Sequence, residues 1–524
     1  MEKHSKLKDL KLIFDLSSIQ SIELDKAIIE KFYEDHKKNK EMGRGYNYAV
    51  VEGAGPIGLY TTFKLFIEGI SVTLVNDRSA DYTREQFILL DRKWVYQLNL
   101  ILGTQFVQLF NEENSMGKLL DTHVGIVIMK NFETALMNRL KSLALYVEEG
   151  EENQQGENSF VKLIYETEVL SINLDYEKPL AVIGTPMRHA KAIIEKYNRK
   201  IVNIMKRYNI NLDDARERII FKKTKDIKNT LGEDYIYARK LAKLQINGNG
   251  FENEYIKELP LNTYFGKNFL GIPFYLFFCA GGANDRIRVN FLEEPQVLTE
   301  TKNYGSILID KADHNLRVTG SEYTYINKPM TKMGIHLISE GIYQFIANSY
   351  ISYQLKMRYD NIINIMLYGT MGYGSQELIL NVFELKQRIT IALITPLALA
   401  YFIRDVKMEM NVNPNMREYY VNFIRELENK WATAVFKYLA SLYNHDTNKV
   451  IIKTEENQEE GEDDDQHHFK LFSSTTFWVN IRGVTNPSKR YRTEDDSAIV
   501  AAVGDANTSA HFFTGSGLST GKLF

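Results

Sequence analysis

Short apolar runs at Ala49–Val51, Val72–Val75, Phe277–Cys279 and Ala498–Val503 are each followed by glycine or polar turn residues, a pattern that predicts strands. Helical spacing appears elsewhere. Ile193, Ile194, Tyr197, Ile201, Ile204, Met205 and Tyr208 share one face of a predicted helix over Ala192–Tyr208, and its basic residues, among them Lys196 and Arg199, form a solvated face. A second helix-rich block runs from about Gly334 to Tyr443, and its Gly369-Thr-Met-Gly372-Tyr-Gly374 segment reads as a turn without strand–helix context. The most apolar window, Ile389–Ile403, is bounded by Arg388 and Arg404 and interrupted by Pro396; it is too short to cross a bilayer and predicts a buried helix. Residues 1–42 alternate charged and apolar positions and predict a helical extension. Two acidic stretches, Glu148–Asn158 and Glu455–Asp465, have no apolar residues to bury and predict exposed loops; His467 and His468 are assigned to the second. There is no internal repeat.

With 524 residues, the chain has room for two or three domains, and 44% apolar with 25% charged residues is the balance of a soluble globular protein. A net charge of −3 gives no global case for nucleic-acid binding. The single cysteine, Cys279, excludes an intrachain disulfide and any multi-cysteine metal site; no metal site is expected. The N-terminal residues lack the apolar core of a signal peptide, so the expectation is a soluble protein of a reducing, cytoplasmic compartment without a membrane span.

The chemistry begins at Tyr48-Ala-Val-Val-Glu-Gly53-Ala-Gly55-Pro-Ile-Gly58-Leu59, which reads as strand, glycine turn and helix start. Gly53 permits a tight turn, Gly55 lets backbone approach a diphosphate, and Gly58 lets the helix pack on the strand while its N-terminus faces the anion. Pro56 suits a first helical turn. The second strand ends at Asn76, followed by Asp77 and Arg78, where nucleotide-binding βαβ units carry an acid for ribose hydroxyls; the cofactor is not decided by this unit alone.

Two further fragments have the same form. Phe277-Phe-Cys-Ala-Gly281-Gly282-Ala-Asn-Asp285-Arg-Ile-Arg288 is an apolar strand running into a glycine turn. Ala498–Val503 runs into Gly504-Asp505, followed by Gly515-Ser-Gly517 and preceded there by Phe512-Phe513. In this order the three fragments resemble the fingerprints of class A flavoprotein mono-oxygenases, the group with the para-hydroxybenzoate hydroxylase fold. The branch most resembled is the MICAL mono-oxygenases, through Arg84-Glu-Gln86-Phe-Ile-Leu-Leu-Asp-Arg-Lys-Trp94-Val-Tyr-Gln-Leu98 and the spacing of Gly504-Asp505 to Gly515-x-Gly517.

The resemblance implies an α/β fold. It would combine a Rossmann-like FAD-binding domain of glutathione-reductase/para-hydroxybenzoate-hydroxylase type with a mixed-sheet middle domain and large helical insertions. Beyond the extension over 1–42, the FAD-binding domain would take 43–180, 261–300 and 471–524, interrupted by a helical insertion over 181–260 and a substrate domain with its own helical insertion over 301–470. Carried over by position, Gly53, Gly55, Ile57 and Gly58 contact the FAD diphosphate, and Asn76, Asp77 and Arg78 lie at the adenosine ribose. Arg84 and Gln86 reach the phosphates and ribityl chain, Lys130 lies near the flavin and Val169 at the adenine. Gly504 and Asp505 hold the ribityl chain, Gly515 and Gly517 complete the turn, and Phe512, Phe513 and Trp94 line the flavin or substrate face. The implied activity is FAD-dependent mono-oxygenation of a small-molecule or protein substrate through a flavin hydroperoxide, or peroxide production, with NAD(P)H as reductant. The departures are Asn76 and Gly281 in place of acids, Asp285 in place of serine, and a chain ending at Phe524 where the family continues. The alternative expectation is a flavin-fold interaction module with weak or no turnover, binding a protein partner through the helical insertions.

Overall fold

A computed structural model describes residues 22–43, 46–79, 85–110, 117–121, 124–146, 160–174, 179–184, 271–298, 302–329, 331–359, 377–454, 467–492 and 497–508. The predicted helix over Ala192–Tyr208, both acidic stretches and the Gly369–Gly374 turn lie outside these residues.

The strands predicted from apolar runs assemble into one sheet. Five of its strands are β1 (Tyr48–Glu52), β2 (Ser71–Val75), β6 (Val161–Ile164), β10 (Leu276–Cys279) and β20 (Ser497–Ala502); the edge strand is β19 (Ser488–Arg492). The order is β19-β20-β10-β1-β2-β6, parallel throughout except for the antiparallel β19–β20 pair. Val50, Val51, Leu74, Phe277 and Val500 are fully or nearly fully buried, as strands covered on both faces require. One face is covered by helix α1 (Ile22–Glu41), α2 (Pro56–Ile67), α3 (Arg92–Leu102), α4 (Phe106–Leu109) and α5 (Met129–Leu145). On the other lie α6 (Arg286–Phe291) and a small antiparallel sheet of β7 (Glu168–Asn173), β8 (Leu180–Gly184) and β9 (Gly271–Pro273).

Helix α2 shows how sequence sets local structure. Pro56 occupies its first turn, and Leu59, Tyr60, Phe63 and Phe66 recur at helical spacing, each at most 5% exposed. Burying each phenylalanine contributes about 1.5–3 kcal/mol. The helix stops at Gly69 (φ +83°), where Gly69 N–H donates to Phe66 O and Ile70 N–H to Leu65 O, a Schellman ending. The described part of the N-terminal extension is helical and docked at this end. His36 Nδ1–H donates to Phe66 O at 2.6 Å and Asn39 Nδ2 to Ile67 O at 2.7 Å, satisfying carbonyls the helix cannot.

A second sheet has the order β13-β14-β15-β12-β17-β16, where β12 is Lys302–Lys311, β13 Tyr323–Pro329, β14 Glu377–Glu384, β15 Arg388–Ile394, β16 Val450–Lys453 and β17 His467–Val479. It is mixed, β16–β17 being its one parallel pair. Helices α7 (Lys332–Asn348), α8 (Leu397–Val412) and α9 (Arg417–Leu442) bury one face through Phe402, Leu427 and Trp431 against Ile307, Val382 and Ile391. A two-stranded pair, β11 (Gln296–Val297) and β18 (Arg482–Gly483), and a three-stranded sheet of β3 (Phe87–Leu90), β5 (Val124–Ile128) and β4 (Gly117–Asp121) complete the set. Between the large sheets, Phe87, Ile126 and Ile128 pack with Phe383 and Leu385, and Arg388 bonds Glu85 at 2.8 Å and Asp310 at 2.6 Å.

Three expectations are corrected. The Ile389–Ile403 window is a strand and then a helix, because Ile389, Ile391 and Leu393 alternate onto one face and Pro396, the N-cap of α8, favours an extended Thr395 before it. His467 and His468 are paired with Val450 and Ile451 at the start of β17 and are not loop residues. Strands β14 and β15 interrupt the helix-rich block.

Burial, with Lys40 nearby, pushes His36 below the usual histidine value of 6.5, against the pull of the Phe66 hydrogen bond. Its protonated form is therefore disfavoured in the folded state, so stability present above pH ~6.5 falls as pH drops below it. His36→Leu is expected to lower stability at pH 8 by about 1–2 kcal/mol while flattening the fall of the melting temperature between pH 7 and 5. An unchanged slope in the variant overturns the assignment.

Candidate dinucleotide site

Because β2, β1, β10 and β20 are parallel neighbours, their carboxyl ends share one edge, and each leads into a segment singled out in the sequence. The glycine turn follows β1. Gly53 has φ +98°, and a Cβ there would stand 2.5 Å from Ala280 O; a Cβ on Gly58 would stand 1.8 Å from Gly53 O. Both glycines are thus required for the turn to lie against the end of β10 and for α2 to lie against the turn. At Gly55, by contrast, a Cβ would meet nothing within 4 Å among the described residues. Gly55 is the N-cap of α2 with ordinary φ and ψ (−70°, 177°), and no side chain caps the helix. An open, uncapped helix N-terminus beside a glycine turn suits a diphosphate. Ile57 is 8% exposed and packs on Gly504, where a Cβ would stand 3.0 Å from it.

Asn76 lies beside the turn and is 8% exposed. Its Oδ1 accepts Ala54 N–H at 3.1 Å and its Nδ2 donates to Arg78 O at 3.1 Å, so the amide braces the glycine turn against the end of β2. Asp77 and Arg78 are about 40% exposed at the same edge, with Arg78 Nε 3.9 Å from Asp77 Oδ1.

The second fragment forms a compact turn. Asp285 is 3% exposed; its Oδ2 accepts Gly281 N–H at 2.9 Å, and its Oδ1 accepts Arg288 N–H at 2.8 Å as N-cap of α6. A Cβ at Gly281 would meet Asp285 Oδ2 at 3.0 Å, so the Asp285 carboxylate occupies the space in front of Gly281. Arg288, 2% exposed, donates to Ala283 O and Ala506 O, each at 2.9 Å. It thereby ties the second fragment to the third, where Gly504 (φ +59°) and Asp505 open a short turn with Asp505 exposed and Ala506 and Asn507 buried. Burial pushes the Asp285 carboxyl up against its hydrogen bonds, and pushes Glu52 and Cys279 well above their usual ranges, reinforced by Asp285.

Other residues are placed as follows. Gln86 O accepts Met129 N–H at 2.9 Å, which sets Gln86 beside Lys130 at the start of α5; both are partly exposed. Val169 is 3% exposed in β7, within the core that includes Phe274 and Phe277. Trp94 is 1% exposed in the core, edge-on to Tyr60 (4.9 Å) and Phe132 (5.6 Å). Arg84, Phe512, Phe513, Gly515 and Gly517 lie outside the described residues. Missed by sequence reasoning were Glu52, whose only signal was a charge directly before the glycine turn, and the bridging role of Arg288.

The face of the second sheet turned away from the helices also meets this region. By alternation it carries Tyr304, Ser306, Thr390, Asn381 and Tyr323, and Tyr323 packs with Phe87 and Phe383. Ser306 Oγ and Thr390 Oγ1 are buried without a hydrogen-bond partner.

The β1–α2–β2 unit and its glycine turn thus define a mixed α/β protein with a nucleotide-binding type of βαβ unit. No family model matches the sequence, and no curated protein matches it. Among solved structures it is similar to p-nitrophenol 4-monooxygenase from Pseudomonas putida, at 11% identity and TM-score 0.43, covering 91% of this chain and 78% of that one. It is similar also to the flavin-dependent monooxygenase PieE in complex with FAD and substrate, at 10% identity and TM-score 0.41, covering 91% of this chain and 55% of that one. A third is aklavinone-11 hydroxylase in a ternary complex with FAD and aklavinone, at 8% identity and TM-score 0.42, covering 91% of this chain. The chain spans 61% of the length of that hydroxylase.

Arg288→Met leaves the Ala506 and Ala283 carbonyls and a buried Asp285 without their cation, and is expected to cost about 3–5 kcal/mol. Amide hydrogen exchange at Ala506–Thr508 should accelerate before the global transition, with no rescue by Arg288→Lys, whose single ammonium cannot span two carbonyls. Unchanged exchange there would rule out the bridging role.

Proposed function

We propose that this chain is an FAD-dependent mono-oxygenase that adds one oxygen atom to an electron-rich substrate, with NAD(P)H as reductant. The observation that carries the reading is the strand order: it gathers the glycine turn, the Gly281–Arg288 segment and Gly504-Asp505 at one carboxyl edge although they are spread over some 450 residues.

The residues present fit the cofactor. Gly55 leaves open space where a side chain would block the diphosphate, and the uncapped end of α2 presents N–H groups and a positive helix end to it. Asn76 holds the turn rigid from below, and Asp505, exposed beside Gly504, would face the ribityl hydroxyls. When bound, FAD supplies two-electron redox chemistry and reactivity with oxygen. The protein's own task is then to orient the flavin, exclude water and hold the substrate. The face of the second sheet turned toward β3 is assigned the last task. Within the class, the Arg84–Leu98 segment favours a MICAL-like branch; most of it forms β3 and α3, with Glu85 bonded across to Arg388.

Purified protein is expected to take up FAD with a flavin absorption band that bleaches anaerobically under NADPH or NADH. Failure to take up FAD overturns the reading, and uptake without bleaching favours an interaction module instead. Gly55→Leu separates binding from folding, because its Cβ has room: its melting temperature should stay within about 2 °C of wild type while FAD binding is lost. Gly58→Ala, with its Cβ 1.8 Å from Gly53 O, should destabilise by about 1–3 kcal/mol or more. Retained FAD in Gly55→Leu contradicts the phosphate-turn assignment.

A further inference from the structure

We propose that Glu52, Cys279 and Asp285 form a binding site for a divalent metal ion of the zinc class at the carboxyl edge of the first sheet. Their donor atoms all lie within 4.8 Å of one another. The arrangement follows from register: Glu52 sits opposite Cys279 in the β1–β10 pair, on the sheet face that α6 covers, and Asp285 comes over that face as the N-cap of α6.

Two observations point to a ligand beyond mere proximity. Glu52 is partly exposed as a residue, yet its Oε2 is fully enclosed and has no hydrogen-bond partner. The Cys279 thiol is free and 0% exposed. A carboxylate oxygen enclosed without a donor costs several kcal/mol unless a cation or proton meets it. The third ligand is already oriented: Gly281 N–H and Arg288 N–H hold the Asp285 carboxylate while leaving lone pairs on both oxygens, which is how outer-sphere hydrogen bonds fix a ligating carboxylate.

The donor set selects the ion. One sulfur with two oxygens suits zinc or a similar borderline cation, whereas magnesium and calcium take oxygen alone. Zinc–sulfur and zinc–oxygen bonds of about 2.3 and 2.1 Å put tetrahedral donors about 3.5 Å apart, so the three must close by roughly an ångström. Charge also balances: the ion together with buried Arg288, which interacts with both Asp285 and Cys279, offsets one thiolate and two carboxylates. Such an ion would also neutralise the acids lying beside the glycine turn. No ligand comes from a cofactor, so the site stands or falls independently of the FAD reading.

The test uses the full chain, stripped with chelator, loaded with Zn2+ and desalted. One equivalent of zinc is expected, with a sulfur scatterer at about 2.3 Å by X-ray absorption. Cys279→Ser should lose the sulfur signal, and the near-isosteric Glu52→Gln should weaken zinc retention against a competing chelator at least tenfold. Thermal melts establish that both variants fold, and flavin content is read separately on the same samples. Wild-type protein that retains no zinc overturns the proposal. Zinc held equally well by Glu52→Gln, or without a sulfur neighbour, also overturns it, and loss on His467→Ala would then locate the ion at the start of β17.

Discussion

The contact on which this structure depends is the one between the backbone of Gly53 and the backbone of Ala280, with Gly58 pressed onto Gly53. Side chains at either glycine would force β1, β10 and α2 apart. With hydrogen in their place, the β1 turn lies directly on the segment that follows β10. The segments at this carboxyl edge inherit their positions from that closeness: Asn76 reaches Ala54, Gly504 reaches Ile57, and Arg288 spans from Ala283 to Ala506. Hydrogen bonds of this kind contribute only about 1–2 kcal/mol each, but a buried polar group left without one costs more, so the edge is specified as a unit.

That edge is unusual in its acids. Glu52 stands beneath the glycine turn and Asp285 beside it; Arg288 donates its backbone N–H to Asp285 and its guanidinium to the Ala283 and Ala506 carbonyls. A site suited to a diphosphate anion thus has carboxyl groups close behind it. Burial raises both carboxyl groups toward their neutral forms, which removes repulsion, and a bound cation removes it more completely. The Asp285 carboxylate fills the space in front of Gly281.

Among the described residues, the second sheet meets the region of β3 and β5 through specific contacts. Phe87 and Phe383 share an apolar cluster, and Arg388 joins Glu85 to Asp310 while lying over the Phe472 ring. These contacts set the polar inner face of the sheet, with Ser306, Thr390 and Asn381, toward the segment around Gln86. The opposite face is committed to the three helices and their aromatic core.

The strands and glycine turn of the first sheet were legible in the sequence because their signals are local. Strand runs, the Gly53–Gly58 spacing, Pro56 at a helix start and the Gly504-Asp505 strand end each depend on residues within one turn of one another. The Ile389–Ile403 window was misread because strand and helix both bury a continuous apolar run, and only pairing with β12 and β14 settled which of them forms before Pro396. Trp94 was legible as an aromatic of note, but its place in the core follows from the packing of α2 on α5. Tertiary structure alone decided the rest. Glu52 is far along the chain from Cys279 and Asp285, as Arg288 is from Ala506, and no local pattern links them. They meet because parallel pairing aligns strand ends, and register along a sheet is a property of the assembled strands rather than of any one of them.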